Sequence, residues 1–163
     1  MLKCLVFSDS HGSVSFLKEA MRRNPDAEVV FFLGDGILDI AEIKRDFPNK
    51  AYLAVFGNCD FCRTLDNEVL DEVGSVVLSD KRIVYTHGHS YGAKFGFTGL
   101  SQLAKERRAD IVLFGHTHQP TERYVSEPFA HYLFNPGSIG KGDHTFGILT
   151  LTEKEPLFSF GKI

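Results

Sequence analysis

Ile111-Val112-Leu113-Phe114-Gly115-His116-Thr117-His118 is an apolar run that stops at a glycine and is followed at once by two histidines one residue apart. The run has the length and composition of a buried strand. If the backbone stays extended beyond Gly115, the two imidazoles leave it in opposite directions. They then reach two points in one cleft, as two neighbouring metal ions would require. A pair of solvated loop histidines would have the same spacing, so the pair takes its meaning from the rest of the chain.

Working outward, the same arrangement recurs. Leu2 to Phe7 is almost continuously apolar, as a strand covered on both faces is, and Asp9-Ser10-His11-Gly12 follows it. Val14, Leu17 and Met21 then recur at helical spacing behind Ser13, a good N-cap residue type, until Pro25-Asp26. Val29 to Leu33 predicts a second buried strand, closed by Gly34-Asp35-Gly36, and Ile40, Ile43 and Phe47 predict a second helix stopped by Pro48. Ala51 to Phe56 predicts a third strand, closed by Gly57-Asn58-Cys59-Asp60. This alternation of strand, polar loop and helix argues for a parallel α/β sheet.

The middle of the chain changes rhythm. Ser75 to Leu78 and Arg82 to Thr86 predict two short strands around a turn at Ser79-Asp80-Lys81, the second running into His87-Gly88-His89-Ser90. A helix from about Thr98 to Arg108 carries Leu100, Leu103 and Ala104 on one face, and glycines between Gly92 and Gly99 suggest a mobile loop before it. From Thr121 to Ile163 the segments are short and alternating, broken by Asn135-Pro136-Gly137-Ser138, and predict antiparallel strands. No repeat or linker divides the chain, so residues 1–163 are expected to form one domain.

Composition removes several classes of function. Net charge is -3 with both signs interspersed, which leaves no basic groove for nucleic acid. No stretch approaches the roughly 20 apolar residues of a membrane span, and the opening segment reads as a first strand, not a signal peptide. The expected compartment is the cytoplasm. Cys4, Cys59 and Cys62 are an odd number, unsuited to a disulfide framework. Cys59-x-x-Cys62 lacks the second pair that structural zinc needs, and it follows a strand where a thioredoxin-like motif would open a helix.

Asp9/His11, Asp35, Asn58, His87/His89 and His116/His118 thus all sit just after predicted strands. Open α/β sheets bind ligands at the carboxyl ends of their strands. A lone aspartate there reads as a cap or turn residue, but five such clusters from separate segments point to one site. Carboxylates, imidazoles and an amide oxygen form a ligand set suited to Mn, Fe, Ni or Zn. Seven ligands shared by two ions require a bridging carboxylate, and Asp35 is the natural candidate. Two divalent ions carry +4 against -2 from Asp9 and Asp35, so the centre is cationic. Such a centre attracts phosphate, lowers the pKa of bound water and clamps an in-line displacement at phosphorus.

Asp9-x-His11, Gly34-Asp35, Gly57-Asn58, His87-Gly88-His89 and Gly115-His116-x-His118 resemble the motifs of the calcineurin-like metallophosphoesterase family, in the family's order. The Gly-Asn-Cys-Asp loop and the short chain resemble its compact bacterial and archaeal phosphodiesterase branch. The resemblance implies an α/β fold, a four-layer α/β/β/α sandwich with a dinuclear site along one edge. It implies Asp9, His11 and His118 on one ion, Asn58, His87 and His116 on the other, Asp35 between them, and a hydroxide nucleophile. Mn2+ or Ni2+ are the implied ions, with Fe, Zn and Mg as alternatives.

Cys59 departs from the wider family, in which a histidine commonly assists the transition state at this position. A thiol, with an ordinary pKa near 8.5, is a poor substitute for imidazolium. The catalytic candidates at and beside this position are Asn58, Cys59 and His89. His89 is a candidate to contact the phosphate or protonate the leaving group, and equally to hydrogen-bond behind the ligands. Arg63 is a candidate phosphate contact, and Asp60 is expected to orient the Asn58 loop. His131 and His144 lie outside the motifs and read as structural or surface residues. The expected activity is hydrolysis of a small phosphodiester. A phosphomonoesterase or nucleotide phosphatase is the alternative enzyme, and a scaffold like the small retromer subunit, which has this fold, is the non-catalytic one. A homodimer through the C-terminal strands is a further expectation.

Overall fold

A computed structural model describes all residues from Met1 to Ile163. Twelve strands and three helices follow in chain order: β1 (Leu2–Phe7), α1 (Val14–Arg23), β2 (Val29–Phe32), α2 (Ile37–Asp46), β3 (Ala51–Ala54), β4 (Thr64–Leu65), β5 (Glu68–Val69) and β6 (Val73–Leu78). Then come β7 (Lys81–Thr86), α3 (Thr98–Arg107), β8 (Ile111–Leu113), β9 (Pro120–Val125), β10 (His131–Pro136), β11 (Thr145–Leu151) and β12 (Leu157–Lys162). The strands form two five-stranded sheets, in the orders β12-β11-β1-β2-β3 and β6-β7-β8-β10-β9, and β4-β5 is a separate small hairpin.

Side chains alternate across a strand, and here the alternation divides the molecule into layers. Leu5, Phe7, Val30 and Phe32 face Leu17, Met21, Ile40 and Ile43 of the first two helices. Cys4, Val6, Val29 and Phe31 point the other way and meet Ile83, Tyr85, Ile111 and Leu113 of the second sheet. Val84, Val112 and Leu133, on that sheet's far side, pack against Leu100, Leu103 and Ala104 of α3. Three apolar cores between four layers are the α/β/β/α sandwich. The apolar runs of β1 and β2 exist because each strand is covered on both faces.

Both sheets are mixed. β1, β2 and β3 run parallel, while β11 and β12 add antiparallel strands at the other edge. In the second sheet β10 runs parallel to β8 and antiparallel to β9, so the C-terminal strands are not all antiparallel. Ser13 precedes α1 but makes no side-chain cap bond. The two-residue turn Ser79-Asp80 has positive φ at both positions, the geometry that suits a tight hairpin. Between Gly92 and Gly99, Phe97 covers the sheet by packing edge-on against Phe114, with ring centroids 6.1 Å apart.

The parallel strands β1, β2, β3, β7, β8 and β10 end towards one seam, and neighbouring loops within each sheet are tied together there. Asp9 N donates to Gly34 O at 3.0 Å and Gly115 N donates to His87 O at 3.0 Å. Gly34 has φ +96°, and a Cβ there would lie 2.4 Å from the backbone nitrogen of Gly57. Gly34→Ala combines a strained φ with overpacking against backbone, and each costs about 1–3 kcal/mol. We expect it to lower stability by about 2–6 kcal/mol, read as the urea midpoint of the metal-free protein; a change below about 1 kcal/mol would show that the loops after β2 and β3 do not need this close approach.

Candidate metal centre

Asp9 follows β1 and is wholly buried. Its Oδ2 accepts from Ser8 Oγ at 2.5 Å and from His116 N at 3.1 Å. Its Oδ1 lies 3.1 Å from His118 Nε2, 3.7 Å from His11 Nε2 and 3.9 Å from His87 Nε2. Asp35 follows β2 and is also buried. Its Oδ1 accepts from Cys59 N at 2.8 Å, and its Oδ2 lies 3.4 Å from His87 Nε2 and 4.0 Å from His11 Nε2. The donor atoms of Asp9, His11 and His118 lie within 4.8 Å of one another, as do those of Asp9, Asp35 and His87. Both carboxylates therefore reach both histidine groups.

His87 is fully buried, and its Nδ1 donates to Leu33 O at 2.7 Å. That bond leaves Nε2 facing Asp35 and, at 3.1 Å, Asn58 Oδ1. His116 lies with its ring centroid 5.0 Å from that of His87 and 6.1 Å from that of His89, outside both close donor groups. His89 Nε2 lies 3.3 Å from Glu72 Oε1. Arg63 lies over the Phe56 ring at 4.2 Å. The Cys59 thiol is exposed, and the main-chain N–H of Cys59 is what holds Asp35.

The backbone here is unusual. Asp9, His11, Asp35, His116 and His118 all have φ between 44° and 66°, a region non-glycine residues rarely occupy and that clusters at functional sites. Neighbouring side chains hold the loops in place. Asp60 accepts from four backbone N–H groups: Asp35 and Gly57 through Oδ2, and Gly36 and Ile37 through Oδ1, at 2.7–3.0 Å. Asp39 Oδ2 accepts from Ser10 Oγ and Gly12 N, at 2.6 and 2.8 Å. Asn135 Nδ2 donates to Gly115 O and Thr117 Oγ1, at 2.9 and 3.0 Å, while Ser138 Oγ donates to Asp9 O at 2.8 Å.

Charge accounts for the proton affinities. Burial would raise the Asp9 and Asp35 carboxyls, but hydrogen bonds and the charges of the histidines outweigh it and hold both below the ordinary range. Burial opposes a charge on His87, yet Asp35 and Asp9 outweigh it and raise its pKa. Burial, the neighbouring His87 charge and Lys94 push His116 down to about 4. Burial, then contact with Asp35, raises the Cys59 thiol, which makes it a still weaker proton donor.

Residues 2–154 match the calcineurin-like phosphoesterase superfamily domain. The chain belongs to that superfamily. It is a phosphoric ester hydrolase by that membership. The probable metallophosphoesterase YsnB of Bacillus subtilis (strain 168) is 31% identical, over 92% of this chain and 85% of its own length. The phosphodiesterase MJ0936 of Methanocaldococcus jannaschii is 26% identical, over 94% and 96%. A predicted phosphoesterase of Streptococcus pneumoniae TIGR4 superposes with a TM-score of 0.78 at 27% identity, covering 99% of this chain and 89% of its own. A zinc complex of Vps29 from Entamoeba histolytica shares the fold at a TM-score of 0.72 and 19% identity, covering 99% and 98%.

The residues fit the divalent ions this superfamily implies. Asp9 Oδ1, Asp35 Oδ2 and Asn58 Oδ1 converge with the Nε2 atoms of His11, His87 and His118. His11 Nε2 is buried with no hydrogen-bond partner. Lone pairs gathered this closely call for a cation. Asp39 went unread in the sequence because it occupies an ordinary first-turn position of α2, and Asn135 and Ser138 read only as parts of a turn. His131 is buried and bonded to Phe129 O and Ser101 Oγ, and His144 to Ile139 O; both are structural.

The His116 shift has a definite sign for the metal-free protein. An unfolded histidine titrates near 6.5 and the folded one near 4, so between those values the unfolded state binds more protons. Stability then rises with pH across that window and falls on acidification. In chelator, His116→Asn should make stability depend less steeply on pH between about 4 and 6.5, read from urea midpoints. An unchanged slope would remove His116 as the cause.

Proposed function

We propose that the chain is a metal-dependent phosphodiesterase acting on a small phosphoester, and that the donor set described above holds two divalent ions. The observation that carries this is the buried, unpartnered His11 Nε2 facing Asp9 and Asp35. We assign Asp9, His11 and His118 to one ion and Asn58, His87 and His116 to the other. Asp35 lies between them, its Oδ2 reaching towards both His11 and His87. Mn2+ or Ni2+ suit this mixed N/O set. Bound there, the ions would supply Lewis acidity and a water nucleophile activated near neutral pH.

The chain's own groups orient and exclude. Leu33 O fixes the His87 tautomer, so Nε2 is the atom turned to the site. Asp60 and Cys59 N hold the Asp35 carboxylate in place. No lysine or arginine pairs with either site carboxylate, and Arg63 is stacked on Phe56. Carboxylates that have only histidine partners suit the single charge of a diester better than the double charge of a monoester. MJ0936, named as a phosphodiesterase, supports the same choice. Glu72 Oε1 lies 3.3 Å from His89 Nε2 and orients that ring, which we assign to contact the ester or protonate its leaving group. Three unpaired thiols suit a reducing compartment, and we place the protein in the cytoplasm.

The decisive assay is hydrolysis of bis-p-nitrophenyl phosphate after metal is stripped and Mn, Ni, Mg or Zn is restored singly. Activity should return with metal, exceed that on p-nitrophenyl phosphate, and fall more than about a hundredfold in the Asn58→Ala, His116→Ala double variant. Preference for the monoester would favour the phosphatase reading. A folded protein inactive with every metal would favour a scaffold, the reading to which the Vps29 likeness in fold lends support.

A further inference from the structure

Beside the centre lies a pocket of about 230 Å3, bordered by His11, Asp35 and Cys59 on one side and by Leu38 and Phe61 on the other. Phe61 is completely exposed, at 104% of its reference area, and Leu38 is 71% exposed. Exposed apolar side chains are common singly, but two that border a catalytic centre form a surface for a ligand. The chain on either side of Phe61 is fastened. Its neighbour Asp60 is fastened to four backbone N–H groups, and Cys62 Sγ contacts Thr64 Oγ1 at 3.3 Å. With its flanking residues anchored, the loop that carries the ring needs little ordering when a ligand covers it.

Away from the metal donors, the carboxylates that line the pocket are already satisfied. Asp60 is fully engaged, and Asp39 Oδ2 accepts from Ser10 and Gly12. No lysine or arginine lines it. What it offers is apolar area and an aromatic face, next to the atoms that would hold a phosphoryl group.

We propose that Phe61 and Leu38 form a stacking platform for a planar aromatic group carried on one ester oxygen, so that the substrate is an aryl or nucleoside phosphoester. This rests on the phosphoesterase reading of the centre. Base–aromatic stacking tolerates any planar ring, so an aryl group and a nucleobase share the chemistry, and binding distinguishes them.

The test is calorimetric binding to the manganese-loaded full chain, using phosphonates that are not hydrolysed. Phenylphosphonate should bind about tenfold more tightly than methylphosphonate. Phe61→Ala should abolish that preference without changing methylphosphonate affinity, and Phe61→Trp should keep it. AMP compared with ribose 5-phosphate repeats the contrast with a nucleobase. A preference larger than that for phenyl identifies a nucleoside ester, and an equal one identifies aryl esters in general. Equal binding of the two phosphonates in the parent, or an unchanged preference in Phe61→Ala, overturns the platform while leaving the centre intact. Failure of inorganic phosphate itself to bind overturns the reading of the centre, and the platform with it.

Discussion

Asp9 and Asp35 are buried carboxylates that meet no lysine or arginine, only histidines and neutral donors. Leaving two such charges in a protein interior is costly unless each lone pair is met. Much of the surrounding structure answers that demand. Ser8, the backbone of His116 and the backbone of Cys59 donate to them, and His87 and His118 approach their remaining oxygens. The left-handed backbone at five site positions is the conformational cost of aiming groups from separate strands at the same two carboxylates. Two sheets packed face to face supply the seam, because no single sheet brings the ends of both β1 and β8 there.

The proton equilibria follow from the same crowding. His87, enclosed by Leu33 O, Asn58 Oδ1 and both carboxylates, gains basicity, while His116, outside those acceptors and beside the His87 charge, loses it. Two imidazoles with ring centroids 5.0 Å apart thus shift in opposite directions, His116 downwards chiefly through burial and His87 upwards because its oxygen neighbours outweigh burial. The Cys59 thiol moves further from ionisation through partial burial first and the anionic Asp35 second.

Much of the fold was legible because β1, β2 and β8 are apolar on both faces and each ends in a glycine or polar break. The clustering of Asp9, His11, Asp35, His87 and His118 was legible for the same reason: polar residues after parallel strands gather at one end. What escaped was long-range or disguised. Periodicity carries no sign of strand direction, so the parallel pairing of β10 with β8 could not be seen. The β4–β5 hairpin has two-residue arms, too short for alternation, and only Asp66-Asn67 at its turn marks it. Asn135 looked like part of a turn, although its amide holds the backbone before His116. Asp60 was expected to steady its own loop, but three of its four bonds run to the loop after β2.

That last feature has a consequence for how such a protein can diversify. Asp60 fastens the loop, while the next residue, Phe61, touches almost nothing of the fold. Anchoring and recognition are therefore assigned to adjacent positions with separate energetic roles. Changes at 60 disturb two loops together, whereas the side chain at 61 can vary with little cost to stability. A lineage, or a designer, could retune which ester is accepted by altering one outward-facing side chain while the buried carboxylates and their donors stay as they are.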